Sequence, residues 1–503
     1  MLSGRFYVAV AVAALPMLLF GFNTGVLNAP ESVIFPTHSV WEWSVCVSAF
    51  CVGGLVGALS IGGLVHVYGR KPSLLLILVV NAFFGIFHVF TPNIYGLMVA
   101  RLFVGVAGGA ATVVTPLYLA ELAPPETKGS IGTLTQLSCV MGILASVLWA
   151  LPFLSETEWR WIFIPLPLVS GVGILIAIAG GLPESPKWLL LHHPLERGRE
   201  ARNILSGFRS AMDDDQIELQ VLLTLQGSTM TTTTTTNATA TITHDEDEEE
   251  NEPITRVTNT SPSATSTSHR SFSGYLADPK SRIPVLSSVL FPIAQQLSGI
   301  NAVFYYSTLF FDDVLEDPKM GTIYAFSVNV LATVVALLLM DKLGRKTLLS
   351  VSAGGMLVCC LLLTMGLLGK LPPKITFASV MVYISCFELG LGCIPFFLAS
   401  ELVPGEFSAR VQSIAMGSNW ACNFLVGLFF PLMDKQLGAY SFLPFAVVLL
   451  VTALYALCVL PETRGKPLHQ FLEELEQQRR RGSSQLPLAQ EEDAGNGPES
   501  ELV

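Results

Sequence analysis

Twelve stretches of this chain are apolar over enough residues to cross a bilayer. They lie near residues 6–28, 44–66, 73–91, 95–120, 130–152, 160–182, 282–311, 320–340, 347–369, 375–402, 409–433 and 440–460. About 20 apolar residues wound as a helix span the hydrocarbon. Inside it every backbone N–H and C=O needs a partner within the protein, so each stretch is predicted to be a helix. Proline and glycine interrupt many of them, which helices packed around a cavity tolerate. Charged residues are only 13% of the chain against 51% hydrophobic, about half the charged share of a soluble domain. The first stretch contains Asn23-Thr24-Gly25 and no convincing cleavage site, so it is read as a spanning helix and not a signal peptide.

The chain then repeats itself. Tyr68-Gly69-Arg70-Lys71 recurs as Leu343-Gly344-Arg345-Lys346, Ala120-Glu121-Leu122-Ala123-Pro124 as Ser400-Glu401-Leu402-Val403-Pro404, and Leu182-Pro183-Glu184-Ser185 as Leu460-Pro461-Glu462-Thr463. The offsets are 275, 280 and 278 residues. Three motifs at one offset imply two six-helix halves in parallel repeat, the architecture of major facilitator transporters. The expected fold is therefore an all-α membrane protein with twelve transmembrane helices. Residues 1–182 and 272–460 form its halves. Residues 183–226 carry apolar positions at helical spacing and should form a small cytoplasmic helical domain. Residues 227–271 collapse to threonine, acidic and Ser/Thr runs and should be disordered, as should most of the tail, 461–503. Lys and Arg concentrate in the long central segment and the tail, which places both termini in the cytoplasm and the repeated motifs on the inner side. Asn237 and Asn259 match glycosylation acceptors but fall in that cytoplasmic insert, so neither should be used.

The net charge of −11 comes largely from two acidic stretches, 245–252 and 491–501, and says nothing about a partner. No basic patch with interleaved aromatics points to nucleic acid. The nine cysteines all lie in apolar segments and read as small buried hydrophobes. No nucleotide loop, metal-spaced cluster or nucleophile–base pair is present, so no cofactor, metal or enzymatic activity is expected. Nothing in the pattern sets an oligomeric state, and the one partner implied so far is the lipid bilayer.

Function points to Gln295-Gln296-Leu297-Ser298-Gly299-Ile300-Asn301-Ala302-Val303-Phe304-Tyr305-Tyr306-Ser307, inside the seventh apolar stretch. An amide in hydrocarbon costs several kcal/mol unless partnered, roughly 4–8 on an alkane scale. Gly299 in mid-helix invites a break. A broken, amide-rich spanning helix is what a substrate site at the membrane midplane looks like. Other deep polar residues are Asn23, Asn329, Asn423 and one acid, Glu388, and an intramembrane carboxyl is a functional candidate by default. Each amide offers donors and an acceptor, which suits a ligand rich in hydroxyls, and Trp420 or Phe396 would pack on the apolar face of a sugar ring. No cation is expected at depth, since Arg101 is placed near a span end; the ligand should then be neutral. At the inner ends of both halves, Arg70, Lys71, Arg101, Glu121, Lys128, Glu184, Lys187, Arg345, Glu401, Arg410 and Glu462 set opposite charges side by side. They are expected to form a cytoplasmic latch that closes one mouth and breaks on opening.

These residues resemble a known family. Phe20 to Pro30, Pro183-Glu184-Ser185-Pro186-Lys187, the 295–307 stretch, Ser418-Asn419-Trp420, Asn423-Phe424-Leu425-Val426-Gly427 and Pro461-Glu462-Thr463-Arg464-Gly465 are similar to the facilitative glucose transporters, in the sugar porter branch of the major facilitator superfamily. The resemblance covers residues 6–470 apart from the insert. It implies passage of D-glucose or a related neutral monosaccharide by alternating access. It makes Gln295, Gln296, Asn301, Asn329, Glu388, Trp420 and Asn423 the hexose contacts, and Tyr305 and Tyr306 part of an extracellular gate. It also implies that Gln296-Leu297-Ser298 marks glucose preference, and that Asn23 stands where proton–sugar symporters carry an aspartate. An amide cannot cycle a proton, so a uniporter is favoured over a proton-coupled sugar or polyol symporter, with a non-transporting sugar sensor behind both. Plasma membrane is the default location.

The chain departs from that family in places. Against the resemblance, Val147 is expected to replace a sugar-binding glutamine of span five, and Phe396 a tryptophan of span ten. Leu391 and Cys393 replace prolines there, which puts the hinge of the gate in question. His66-Val67, Lys128 and Ser408 are further departures, at the inner loops.

Overall fold

The computed structural model describes residues 3–27, 33–124, 127–192, 194–208, 271–301, 318–460 and 462–464. The first half contains α1 (Gly4–Gly25), α2 (Val40–Tyr68), α3 (Arg70–Phe90), α4 (Ile94–Leu122), α5 (Lys128–Ala150) and α6 (Pro165–Ile176). Two short helices follow, α7 (Pro186–His192) and α8 (Pro194–Phe208). After α9 (Phe272–Ala277), the second half contains α10 (Arg282–Leu297), α11 (Pro318–Met340), α12 (Arg345–Leu367), α13 (Pro373–Leu389), α14 (Leu398–Leu402), α15 (Gly405–Leu437) and α16 (Leu443–Cys458).

Local signals set several of these ends. Ser39 and Glu42 form a reciprocal capping box on α2, which satisfies two otherwise orphaned donors. The Asn93 side chain accepts from Gly96 N at 2.9 Å and starts α4. Gly69 separates α2 from α3 at φ +95°, a backbone that side-chain-bearing residues rarely adopt.

Ten helices among the described residues are long and apolar enough to cross a membrane, and a pair bent by 79° makes an eleventh. The remaining predicted span, the seventh at 282–311, appears only as α10, because residues 302–317 lie outside the described set. So do Tyr305 and Tyr306, the insert 227–270 with its two Asn-X-Ser/Thr sites, and the tail beyond residue 464.

Large apolar residues such as Leu175, Ile178 and Val451 are 60% exposed or more. In a bilayer such faces meet lipid, and this is why hydropathy alone cannot say which side of a span faces its neighbours. Inside, the first half has a core of Phe6, Met17, Leu74, Val104 and Tyr118. The second is built on Phe291, Leu349, Tyr383, Phe397 and Phe442. Trp188, Leu189 and Leu190 of α7 pack with Ala201 of α8 in a small cluster of their own. The halves meet along α2 with α15 and α5 with α11. Gly109 of α4 lies so close to α2 that a Cβ there would stand 1.9 Å from Gly54 O. Small residues allow that approach where the solvent offers no hydrophobic drive.

A Cβ on Gly69 would stand 2.3 Å from Glu184 Oε2. Gly69→Ala therefore combines a positive φ with a collision against a buried carboxylate, and costs well over about 1 kcal/mol. The purified variant should melt at a clearly lower temperature in a fluorescence size-exclusion assay; an unchanged melting temperature would contradict this contact.

Candidate functional site

The predicted break in the seventh stretch is present. Helix α10 ends at Leu297 and Gly299 takes φ +89°. The freed carbonyl of Ser298 accepts a 2.5 Å bond from Tyr383 OH. A second break follows α13, where the chain leaves the helix at Leu389 and runs through a 3-10 turn at Ile394–Phe396. Its carbonyls are also partnered by side chains. Gln295 Nε2 donates to Leu391 O at 2.8 Å and Gly392 O at 3.0 Å, and Gln412 Nε2 donates to Phe396 O at 2.7 Å. Leu391 N donates to Ser352 Oγ at 3.1 Å. The chain thus bends here although Leu391 and Cys393 replace prolines, because the freed backbone groups find side-chain partners.

The amides form one network. Asn419 Nδ2 donates to Gln295 Oε1 at 2.8 Å and to Pro292 O at 2.8 Å. Gln296 Nε2 donates to Asn419 Oδ1 at 3.1 Å. Asn301 Nδ2 donates to Gln296 Oε1 at 2.5 Å and Asn423 Oδ1 at 2.8 Å. Both donors of Gln295 are committed to backbone, so its role is to hold the two breaks together. Free capacity lies elsewhere: Asn329 Oδ1 is buried and finds no partner among the described residues.

These residues line a central cavity of about 150 Å³. The second half contributes Gln295, Gln296, Asn301, Asn329, Asn423, Glu388 and Phe396; the first half contributes Phe20, Phe50, Cys51, Cys139, Thr24, Arg101 and Gln136. Three expectations need correction. Arg101 is not a latch residue. It sits within two turns of the start of α4, about 30 Å along the helix from Glu121, and is 2% exposed. Its Nη1 donates to Asn23 O at 2.7 Å, and its guanidinium lies 4.5 Å from the Phe50 ring centre. The cavity therefore does contain a cation: Arg101 lies near the end of its span, as expected, but that end of α4 reaches the site. Span five does supply an amide to the cavity, against the expectation drawn from Val147: Gln136 Nε2 donates to Glu388 Oε1 at 3.0 Å, whereas Val147 does not line the cavity. The Thr135-Gln136 pair inside an apolar helix was the available signal. Finally, Trp420 does not reach the cavity and lies packed in the first half.

At the other end of the bundle the repeated motifs build two matching clusters. Arg70 pairs bidentately with Glu121 at 2.7 and 2.8 Å, and Arg345 with Glu401 at 2.8 and 3.2 Å. All four side chains are at most 6% exposed. Glu184 Oε1 accepts from Arg70 N at 2.9 Å, and Glu462 Oε1 from Arg345 N at 2.7 Å. Lys71 and Lys346 contribute their backbone N–H groups to the same carboxylates. Burial pushes the Glu184 carboxyl above its usual range, against the pull of its backbone bonds from Ser185, Arg70 and Lys71. Burial likewise lowers Lys187, with Glu121 opposing.

Each ion pair stays inside its own half, so these pairs brace helices and do not bridge the mouth. What crosses is different. The Asp341 carboxylate accepts from Gly129 N at 2.9 Å, from Ser130 N at 3.0 Å and from the Ser130 hydroxyl, capping the start of α5 from the opposite half. A carboxylate there also complements the positive end of that helix. The Lys187 side chain lies against Gly405, Nζ being 3.0 Å from the position of a Cβ there. Lys128 has Glu401 of the other half as its leading charged neighbour. Arg410 is exposed and lies 5.6 Å from the Phe272 ring centre, outside the ion pairs. Asp341 escaped notice because a single acid after a span looks like loop.

The chain matches the family described as "Sugar (and other) transporter" over residues 9–239 and 221–475. It is 33% identical to solute carrier family 2, facilitated glucose transporter member 3 of Rattus norvegicus, over 94% of this chain and 93% of the relative. The Homo sapiens counterpart is 32% identical over 91% and 90%. Among solved structures, the major facilitator superfamily proton:xylose symporter XylE bound to 6-bromo-6-deoxy-D-glucose superposes with a TM-score of 0.77. It is 22% identical and covers 94% of this chain and 99% of that one.

Asp341→Ala removes the carboxylate that ties the two halves at this end. The Cys139 thiol in the cavity should then react several-fold faster with a membrane-permeant maleimide, read by mass spectrometry of its peptide. Equal rates would mean the tie does not hold this mouth shut.

Proposed function

Because this chain belongs to the sugar (and other) transporter family, we propose that it is a facilitative hexose transporter, carrying glucose before galactose or fructose by alternating access. One observation carries the reading: a cavity at the junction of two halves, lined by five amides with Glu388 from the second half and by Phe20 and Phe50 with Gln136 and Arg101 from the first. Hydroxyls need both donors and acceptors, and Gln296, Asn301, Asn329 and Asn423 supply both. The buried, unpartnered Asn329 Oδ1 is the first acceptor we assign to the sugar, since an unsatisfied buried oxygen gains most from a new donor.

Uniport is favoured by the surroundings of Arg101. Its Nη1 bonds the backbone oxygen of Asn23; the Asn23 side chain is a buried amide that donates to Leu19 O and has no titratable proton to couple to a gradient. A proton-coupled symporter is the second reading, and the fully buried Glu388, bonded to Gln136, is the observation that favours it. In either case the end carrying the Arg–Glu clusters and Asp341 faces the cytoplasm, with both termini. The plasma membrane is the proposed location. We take the two halves and the α7–α8 segment as separate units; the insert up to residue 270 and the tail beyond 464 lie outside the described residues.

Transport follows from geometry. With Asp341 capping α5 the inner mouth is closed. Sugar enters from outside and satisfies the free amide groups. Rocking of the halves then parts Asp341 from Gly129 and Ser130 and opens the inner side. Cation and anion of each cluster move together, so the two braces survive the cycle.

Two measurements test this. Labelled glucose uptake in a transport-deficient host should saturate and ignore an uncoupler; collapse with the uncoupler would establish the symport reading. Asn329→Ala should raise the KM for glucose about 2- to 10-fold, as loss of one hydrogen bond of roughly 0.5–1.5 kcal/mol implies. An unchanged KM would remove Asn329 from the site.

A further inference from the structure

Trp420 lies on α15 in the second half, yet its indole is buried in the first. Nε1 donates to Thr112 Oγ1 of α4 at 3.3 Å. That hydroxyl donates onward to Gly109 O at 2.7 Å, so it is satisfied as donor and acceptor. The ring meets Phe20 of α1 edge-on at 5.4 Å and Phe50 of α2 at 5.5 Å. The floor of the socket is Gly54 of α2, where a Cβ would stand 2.4–2.5 Å from three ring carbons. Helix α2 has no room to retreat, because Gly109 of α4 packs against Gly54 O from behind.

The socket is one rung of a longer interlock. Gly62 of α2 faces Ser413, whose Cβ would be 2.7 Å from an added methyl, and Gly417 faces Leu59. The Ser413 hydroxyl donates to Ala58 O across the halves. Phe20 and Phe50 also line the cavity. Trp420 therefore backs the apolar wall of the site without reaching the site itself.

We propose that Trp420 is a positioning residue: a plug in the Gly54–Phe20–Phe50–Thr112 socket that sets the pivot between the halves and holds the cavity's apolar wall. It acts on transport rate and does not touch the sugar. The proposal rests on the transport reading for its kinetic part only. A ring that stacked on the sugar would have to be exposed to the cavity, and this one is not. A ring that locks the halves needs a shape-matched glycine opposite it, and Gly54 is that residue.

The test is a size swap between Gly54 and Trp420, measured on the full chain. Gly54→Ala adds a methyl where the indole stands. Overpacking of about 1–3 kcal/mol predicts a turnover per surface molecule lower by about 5- to 150-fold, with the glucose KM within about twofold. Trp420→Phe in the same chain removes the second ring and should recover most of the loss, although each change alone is harmful. The same swap is read independently as melting temperature of the purified protein: Gly54→Ala lowers it and Trp420→Phe in that background raises it again. Trp420→Ala should lower turnover and leave KM within about twofold. A several-fold rise in KM for Trp420→Ala, or a double variant no better than Gly54→Ala in both assays, overturns the proposal. Should the wild type carry no sugar, the transport reading fails, while the melting-temperature swap still decides whether the plug and socket are matched.

Discussion

Backbone groups released at two helix breaks govern this site. A spanning helix that stops in hydrocarbon leaves carbonyls and N–H groups that water cannot reach, each costing several kcal/mol. Here Tyr383 answers Ser298, Gln295 answers Leu391 and Gly392, Gln412 answers Phe396, and Ser352 answers Leu391 N. The breaks and the polar side chains require one another. Remove the amides and the breaks become too costly; straighten the helices and the amides lose their reason to be buried. The sugar site we propose is what this arrangement leaves over: Asn329 Oδ1 and the uncommitted atoms of Gln296, Asn301 and Asn423.

The second constraint is the repeat. Arg70–Glu121 with Glu184, and Arg345–Glu401 with Glu462, reproduce each other bond for bond. Removing one partner of such a buried pair strands a charge and costs about 3–5 kcal/mol, so each half moves as a braced body. Contacts between the bodies are of another kind: a carboxylate on a helix start, a lysine stem on a glycine, an indole in a glycine notch and the Gln136 amide on Glu388. None of them is a buried Arg–Glu pair, so parting them does not break either brace, which suits an interface that has to open and close.

Much of this was legible from residues alone. Hydropathy marked the spans because lipid and protein interior are equally apolar, and ten of them reappear as helices among the described residues. Gly299 signalled the break by its conformational freedom. The motif offsets signalled the repeat. Arg101, Gln136 and Asp341 were misread or missed for one shared reason. Each is a polar residue whose role depends on what stands opposite, which in each case is on another helix: Asn23, Glu388, and the start of α5. Trp420 failed in the opposite sense. Its neighbourhood Ser418-Asn419-Trp420 matched a sugar-binding family, but one turn of α15 decides whether a ring faces the cavity or the neighbouring half.

What the chain determined by itself was the number of apolar stretches, the twofold internal repeat and the place where the seventh helix breaks. These follow from local properties: residue polarity, glycine's backbone freedom and motif spacing. Only the tertiary structure decided which amides are spent on backbone and which remain for a ligand, which charges brace a half, and where the indole goes. Those outcomes turn on distances of about 3 Å between helices far apart in sequence. No pattern within a single helix encodes the face its neighbour will present.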